Sequence, residues 1–468
     1  MEITAESDAL VVLSRLLPDR LVVVDVGARW GFAQAWDRLR EKCLTIGFEP
    51  DEEECARLSE IHRGDQRMRF VPVALGAQSG LATLYLTRDR KGCSIYPPAT
   101  EAVTRHPGLT DGQLEDTSVI ELMALDDWCA AEGASLGITR VDAMKIDTQG
   151  SELDVLRGAE ATLASVRLIE VEVEFNELYE GIALFPAIDQ YLRQQGFVLW
   201  KLGNLAHYAQ AGMRTEWQTT ETIHYDDVTS TYPAGAGQLF WANAVYLRRE
   251  CAYPDSEAGW QSLVRDACIT SAHKLFDLSS LALELARKTA PDDVAAEIDA
   301  ALSAELLQIR REKELVERSA ELTGTFRIDM ADPSFVGGGW YPPQVLHYGG
   351  VRWSGPGRAA WVDLPVAVRP GARIELLAVG FMTPQIAEAL AFELNGVPVR
   401  LTTSPHEHGT VYAGVVPDGY RSSRRFTRLM MHTLTPVRWN DANPESDDDT
   451  ELGAALSWIR LTAPDPEG

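Results

Sequence analysis

A chain of 468 residues has room for about three domains and more than one buried core. With 45% hydrophobic and 24% charged residues it is neither collagen-like, nor disordered, nor a small disulfide scaffold. A formal net charge of −26 speaks against nucleic acid or an anionic membrane surface as the main partner. The six cysteines (Cys43, Cys55, Cys93, Cys129, Cys251 and Cys268) contain no Cys-x-x-Cys pair and read as reduced thiols. There is no basic-then-apolar leader and no apolar run of ~18 residues. These features predict a cytoplasmic protein with no transmembrane segment.

Up to residue 252, strand and helix patterns alternate. An apolar stripe over 8–17 predicts a helix, and the β-branched run Leu21–Val26 a buried strand. Gly31–Lys42 reads as a helix, Leu44–Phe48 as a strand and Asp51–Ile61 as a helix. Arg69–Leu75 and Leu81–Leu86 read as strands, and Val119–Leu125 as a strand leading into a helix at Asp126–Glu132. Then come strand Ala143–Asp147, helix Ser151–Ala164, strand Leu168–Glu174, helix Pro186–Gln195, and strands Phe197–Leu202 and Gln238–Leu247. This order predicts an α/β domain over 1–252 with a doubly wound, mostly parallel sheet.

Residues 253–322 are rich in Ala, Leu, Glu and Arg, with a break at Thr289-Ala290-Pro291. Ile298, Leu302, Leu306, Ile309 and Val316 make a stripe near helical spacing, read as a helical linker or a dimerising coiled coil. Residues 323–468 predict an all-β sandwich or jelly roll, with short segments at Trp361–Val368, Arg373–Val379, Ala391–Leu394 and Val397–Leu401. Asn395-Gly396 is a hairpin signal between two of these. The acidic run Asp447-Asp448-Asp449 reads as a solvated loop.

The informative words lie near strand ends. Val22-Val-Val-Asp25-Val-Gly27-Ala-Arg29-Trp30-Gly31 ends a strand in an acid and opens a glycine turn that lets a ligand approach the backbone. The spacing Gly-x-x-x-Gly, with Arg29 where a dinucleotide cradle needs glycine, disfavours NAD and favours a smaller adenosine ligand. Gly47-Phe48-Glu49-Pro50-Asp51 places Glu49 where an acid accepts both ribose hydroxyls. Lys145-Ile146-Asp147-Thr148-Gln149-Gly150-Ser151-Glu152 is a strand, a polar turn and a helix start. Asp147 and Glu152 face the ligand mouth if this strand lies beside the first.

Together with Val73-Ala74-Leu75-Gly76 and Leu125-Asp126-Asp127-Trp128, these words resemble the FkbM-type methyltransferases, over about residues 21–248. That resemblance implies a class I fold using S-adenosyl-L-methionine, with transfer to hydroxyls of sugars, polyketides and other metabolites. It implies cofactor contacts at Asp25, Gly27, Arg29, Gly31, Glu49, Pro50, Ala74, Leu75, Ser94 and Asp147. Family members often carry Glu-Gly where this chain reads Gln149-Gly150, which leaves Asp147 and Glu152 as the carboxylates of the block. Gly337-Gly-Gly-Trp340-Tyr341 and Val351-Arg352-Trp353-Ser354-Gly355 are similar to β-domains attached to bacterial glycosyltransferases. Exposed Trp340, Trp353 or Trp361 would stack on sugars, or else fill the sandwich core.

A free alcohol is a weak nucleophile, so a base beside the acceptor helps. Asp147 is the leading candidate, with binding of the cofactor's amino group or helix capping as its alternative role. His224, in a polar insertion before the last strand, is a second candidate base, or an ordinary surface histidine; His207 is a weaker one. Glu170, Glu172 and Glu174 share one strand face by period-two spacing. They either meet the acceptor mouth or bind a divalent cation with Asp147, for which Mg²⁺ is the suitable ion; no metal ligand set is assigned. The leading reading is an O-methyltransferase acting on a saccharide of a cell-surface polysaccharide or glycoconjugate. The alternatives are a methyltransferase of a small secondary metabolite, with the β-domain serving dimerisation, and a non-catalytic glycan-binding protein; a homo-oligomer would form through the helical linker.

Overall fold

The computed structural model describes residues 9–464, except 33–34, 37–38, 40–41, 64, 225–228, 348, 356, 419, 421–425, 434–435 and 444–447. The chain divides into two compact units: residues 10–221 with 232–302, and a second made mainly of residues 303–468.

In the first unit, α1 (Ala9–Arg15) precedes β1 (Leu21–Val26). Then come β2 (Cys43–Phe48), α2 (Glu52–Ile61) and β3 (Met68–Val71). Next are β4 (Ala143–Ile146), α3 (Glu152–Arg157), β5 (Leu168–Glu174), α4 (Phe185–Gln194), β6 (Phe197–Tyr208) and β7 (Gln238–Arg248). The sheet order is β3-β2-β1-β4-β5-β7-β6. Its first five strands run parallel, and β7 is antiparallel to both β5 and β6. Alternation along β1 explains why both faces are covered. Leu21 and Val23 enter one core with α1 and the helices α5 (Trp260–Ala272) and α6 (Phe276–Thr289). Val22, Val24 and Val26 enter the other with Trp128, Leu156, Ile188 and Leu192. Each fully buried Leu, Val or Ile contributes roughly 1.5–3 kcal/mol.

Three expected elements differ. The Arg69–Leu75 strand is two pieces, because Pro72 cannot donate to a ladder. The second piece, Ala74–Leu75, joins Leu122–Met123 in a separate three-stranded sheet with Gly80–Thr87. The Ser151–Ala164 helix breaks at Gly158, where an added Cβ would lie 2.1 Å from the Gly76 carbonyl oxygen. Of the Gly31–Lys42 helix, the described residues Ala35, Trp36, Leu39 and Lys42 take 3-10 geometry, and much of the rest lies outside the described residues.

The segment expected as a separate helical region is shared between the units. Helices α5, α6 and the start of α7 (Asp292–Arg318) pack on the sheet through Leu263, Val264, Ile269, Leu283 and Ile298. Ile298 and Leu302 are therefore engaged within that unit, while Leu306 and Val316 are exposed. A buried ion pair adds to the packing. Asp142 accepts the Val22 N–H at 2.8 Å and pairs with Arg265 of α5 at 2.9 Å.

The second unit is a two-sheet β structure around one core. One sheet holds Thr325–Asp329, Gly349–Trp353, Arg373–Phe381, Leu401–His406, Gly409–Val415 and Ala454–Thr462, with Gln344–Leu346 at its edge. The other holds Val336–Gly338, Ala359–Leu364, Ala391–Leu394, Val397–Val399 and Thr427–His432. Asn395-Gly396 turns the hairpin between Leu394 and Val397, both residues at positive φ (47° and 84°). Trp340 donates its indole N–H to the Trp361 carbonyl at 2.8 Å, and the Arg428 guanidinium lies 4.0 Å from the Trp361 ring. Arg428 is held in turn by both oxygens of Asp363 at 2.6 Å. These two tryptophans thus take part in the domain's own packing. Asp448 accepts from the Thr450 N–H at 2.9 Å, and Asp447 lies outside the described residues.

Candidate active site

The site forms where β1, β2 and β4 end. Because β1 is flanked by both other strands, its carboxyl end sits at the point where strand order reverses. The turn after β1 is left-handed at Gly27 (φ 82°), Trp30 (φ 72°) and Gly31 (φ 88°). Gly27 and Ala28 donate their N–H groups to the Phe48 carbonyl at 3.0 and 3.1 Å. On the other side Asp147 donates its N–H to the Val26 carbonyl at 3.0 Å. A Cβ at Gly27 would stand 2.0 Å from the Asp147 carbonyl oxygen. Glycine there is a condition for β1 and β4 to end side by side.

Register places Asp25 beside Lys145, and Lys145 beside Glu170. The Lys145 ammonium bridges Asp25 (3.2 Å) and Asp147 (3.7 Å). Burial pushes the Asp25 carboxyl up to about 6 even against Lys145, with Asp147 and Glu170 adding repulsion. Glu49, at the end of β2, accepts the Asp51 N–H at 2.9 Å and lies 4.0 Å from Arg29. Burial raises it to about 7 despite those partners. Asp51 caps α2 through the Glu53 and Glu54 N–H groups and holds Arg29 at 3.2 Å. Pro50 is the link between these two acids. Trp30 donates its backbone N–H to Glu54 at 3.2 Å.

The turn after β4 is densely tied. Glu152 accepts from the Thr148 N–H at 2.8 Å, the Thr148 hydroxyl at 3.1 Å and the Gly150 N–H at 3.0 Å. Gln149, at φ 59°, donates its amide to Asp147 (2.9 Å) and Glu172 (2.7 Å). Its amide oxygen accepts from the Tyr179 hydroxyl at 2.9 Å. Ser94 donates to the Gln149 carbonyl at 2.6 Å, so its hydroxyl braces the turn. Glu172 and Glu174 are buried beside Glu152, whereas Glu170 accepts from Asn243 at 3.0 Å and faces His273 at 3.6 Å. The acidic face is thereby divided: its lower residue has side-chain partners on β7 and the α5–α6 loop, and its upper two reach the turn.

Of the expected site residues, Asp25, Gly27, Arg29, Gly31, Glu49, Pro50 and Asp147 share the strand-end mouth, and Ser94 supports it. Ala74 and Leu75 belong to the small sheet beside Leu122 and Met123. His224 ends the strand Thr219–His224, and its side chain lies outside the described residues. The His207 ring contacts the Leu205 carbonyl at 3.1 Å. Lys145, Gln149 and Tyr179 were not anticipated. The alternation Lys145-x-Asp147 carried a signal for the first, Gln149 stood out as a departure from the Glu-Gly of the resembled family, and nothing in the sequence signalled Tyr179.

Sheet order, glycine turn and strand-end acids define an α/β domain of the class I methyltransferase kind. Residues 25–199 match the family model "Methyltransferase FkbM domain". It is 31% identical over 169 residues to the 2-O-methyltransferase NoeI of Sinorhizobium fredii, a match spanning 34% of this chain and 66% of that relative. Among solved structures, a methyltransferase FkbM from Methylobacillus flagellatus covers 49% of this chain and 44% of its own, at 13% identity and TM-score 0.25. A precorrin-6y C5,15-methyltransferase from Geobacter metallireducens covers 51% of this chain and 86% of its own, at 11% identity and TM-score 0.23. Among the described residues no helix is long and apolar enough to cross a membrane.

Proposed function

We propose that the chain is an S-adenosyl-L-methionine-dependent O-methyltransferase whose acceptor is a hydroxyl of a saccharide. The observation that carries this is the mouth itself: a backbone cradle at Gly27, a buried carboxylate at Glu49, and Asp147 set between Lys145 and Gln149. The cradle leaves no room for a side chain, and Glu49 stands where ribose hydroxyls would donate. The cofactor would supply an electrophilic methyl group. Lys145, held in place by Asp25, would steady the charge of Asp147. Asp147 would orient the acceptor hydroxyl and take its proton as the new O–C bond replaces the S–C bond. The similarity to the 2-O-methyltransferase NoeI supports an oxygen acceptor. The second unit would act as a glycan-holding module.

The test is calorimetric titration of the full chain with S-adenosylhomocysteine, S-adenosyl-L-methionine and NAD, followed by transfer of a labelled methyl group to a panel of glycans and small hydroxylated metabolites. Binding of both sulfur ligands, no binding of NAD and labelled glycan are expected. Binding of NAD alone, or labelling of small metabolites and no glycan, would overturn the reading.

A further inference from the structure

Four other deeply buried carboxylates of the first unit stand near a cationic side chain. Asp25 has Lys145, Glu49 has Arg29, Asp142 has Arg265, and Asp266 has Arg167. Glu152, Glu172 and Glu174 break that pattern. Among the described residues none of the three is paired with a Lys, Arg or His, although all are buried. One carboxylate oxygen from each lies within 4.8 Å of the other two. Like charges held this close in a low-dielectric interior repel strongly unless something compensates them.

Hydrogen bonding does not supply the compensation. Glu152 is oriented by donors from Thr148 and Gly150, and Glu172 by the Gln149 amide. Glu174 is fully buried, and neither of its oxygens has a hydrogen-bond partner. An unsatisfied buried carboxylate aimed at two others is an incomplete arrangement. The spacing has a natural filler. Two oxygens on opposite sides of an ion at about 2.4 Å stand about 4.8 Å apart, and the ligand set is all oxygen, as hard divalent cations prefer.

We infer that Glu152, Glu172 and Glu174 hold a divalent cation of the Mg²⁺, Mn²⁺ or Ca²⁺ kind beneath the turn that carries Asp147. Glu170 is outside this set, held by Asn243, and Asp147 borders it through Gln149. The ion would fasten the β4 turn to the end of β5. The site stands on carboxylate geometry alone and does not depend on which acceptor is methylated.

The test uses the full chain stripped with chelator and titrated with MnCl₂, the free ion being read by electron paramagnetic resonance. One tightly held Mn²⁺ per chain is expected, displaced by Mg²⁺ or Ca²⁺. Glu174→Gln should weaken binding at least tenfold, and Glu170→Gln should leave it unchanged. Circular dichroism and S-adenosylhomocysteine titration of each variant report folding and the cofactor site separately. If Glu174→Gln does not fold, a rise in thermal midpoint of the wild-type chain on adding Mn²⁺, lost in Glu172→Gln, reads the same site. Absence of stoichiometric Mn²⁺ in the wild type, or Mn²⁺ retained in both Glu174→Gln and Glu172→Gln, overturns the inference. A higher thermal midpoint of ion-free Glu174→Gln without Mn²⁺ binding in the wild type would instead mean that the three carboxyls share protons.

Discussion

Replacing Gly27 with alanine isolates the closest approach in the mouth. Two costs add. The residue sits at φ 82°, and an L side chain in that region costs roughly 1–2 kcal/mol. The new Cβ would also stand 2.0 Å from the Asp147 carbonyl oxygen, so β1 and β4 must part by about an ångström. Overpacking of that kind costs typically 1–3 kcal/mol, for a total of roughly 2–5 kcal/mol. Gly212→Ala is the control, since Gly212 has the same φ (83°) with nothing within 4 Å of an added Cβ. It should lose only the conformational part. Urea unfolding of both full-length variants and calorimetry with S-adenosylhomocysteine measure the difference. Gly27→Ala should be the less stable by about 1–3 kcal/mol and should bind the ligand at least tenfold more weakly. Equal stability of the two variants with unchanged ligand affinity would refute the idea that this glycine sets the spacing of the strand ends.

Other expectations follow from the same geometry. Asp147→Asn should lower kcat far more than it raises KM if Asp147 takes the proton; equal changes in both would assign it to ligand binding. Because Glu49 is pushed up to about 7, affinity for S-adenosylhomocysteine should be flat above that pH and fall by up to tenfold per unit below it. Glu49→Gln should bind weakly with no such slope. The same raised carboxyl favours the unfolded state once it ionises, since the unfolded chain loses that proton nearer 4.5. The ligand-free wild type should therefore lose more stability than Glu49→Gln as pH rises from about 5 to about 7.5, which thermal melts at each pH would check. Asp142→Ala leaves the Val22 N–H without its side-chain acceptor and Arg265 with Asp19 as its remaining carboxylate partner, and a loss of about 1–3 kcal/mol in urea unfolding is expected.

The main sheet was legible because its strands are short, largely apolar runs buried on both faces, β-branched in β1 and Ala-Met-Lys-Ile in β4. Asp25, Glu49 and Asp147 were legible because each is the acid that ends such a run. What escaped depended on partners far along the chain. Gly158 breaks a helical pattern because the Gly76 carbonyl lies against it, 82 positions earlier in the numbering. Lys145 finds Asp25 through strand register, and Gln149 finds Glu172 and Tyr179 only because its own backbone is left-handed. The helices after residue 252 showed their apolar stripes in sequence, but not that these stripes cover the sheet.

That last point bears on how this domain can be cut and shared. The family match ends at residue 199, yet β7, which lies between β5 and β6, begins at Gln238. The layer shielding Leu21, Val23 and Leu168 is supplied in part by Leu263, Val264, Ile269 and Leu283. A gene fragment trimmed to the recognisable motif would encode a sheet lacking β7, most of β6 and one of its coats. The smallest transferable piece, in recombination or in the laboratory, extends to about Leu302, some hundred residues past the last familiar word.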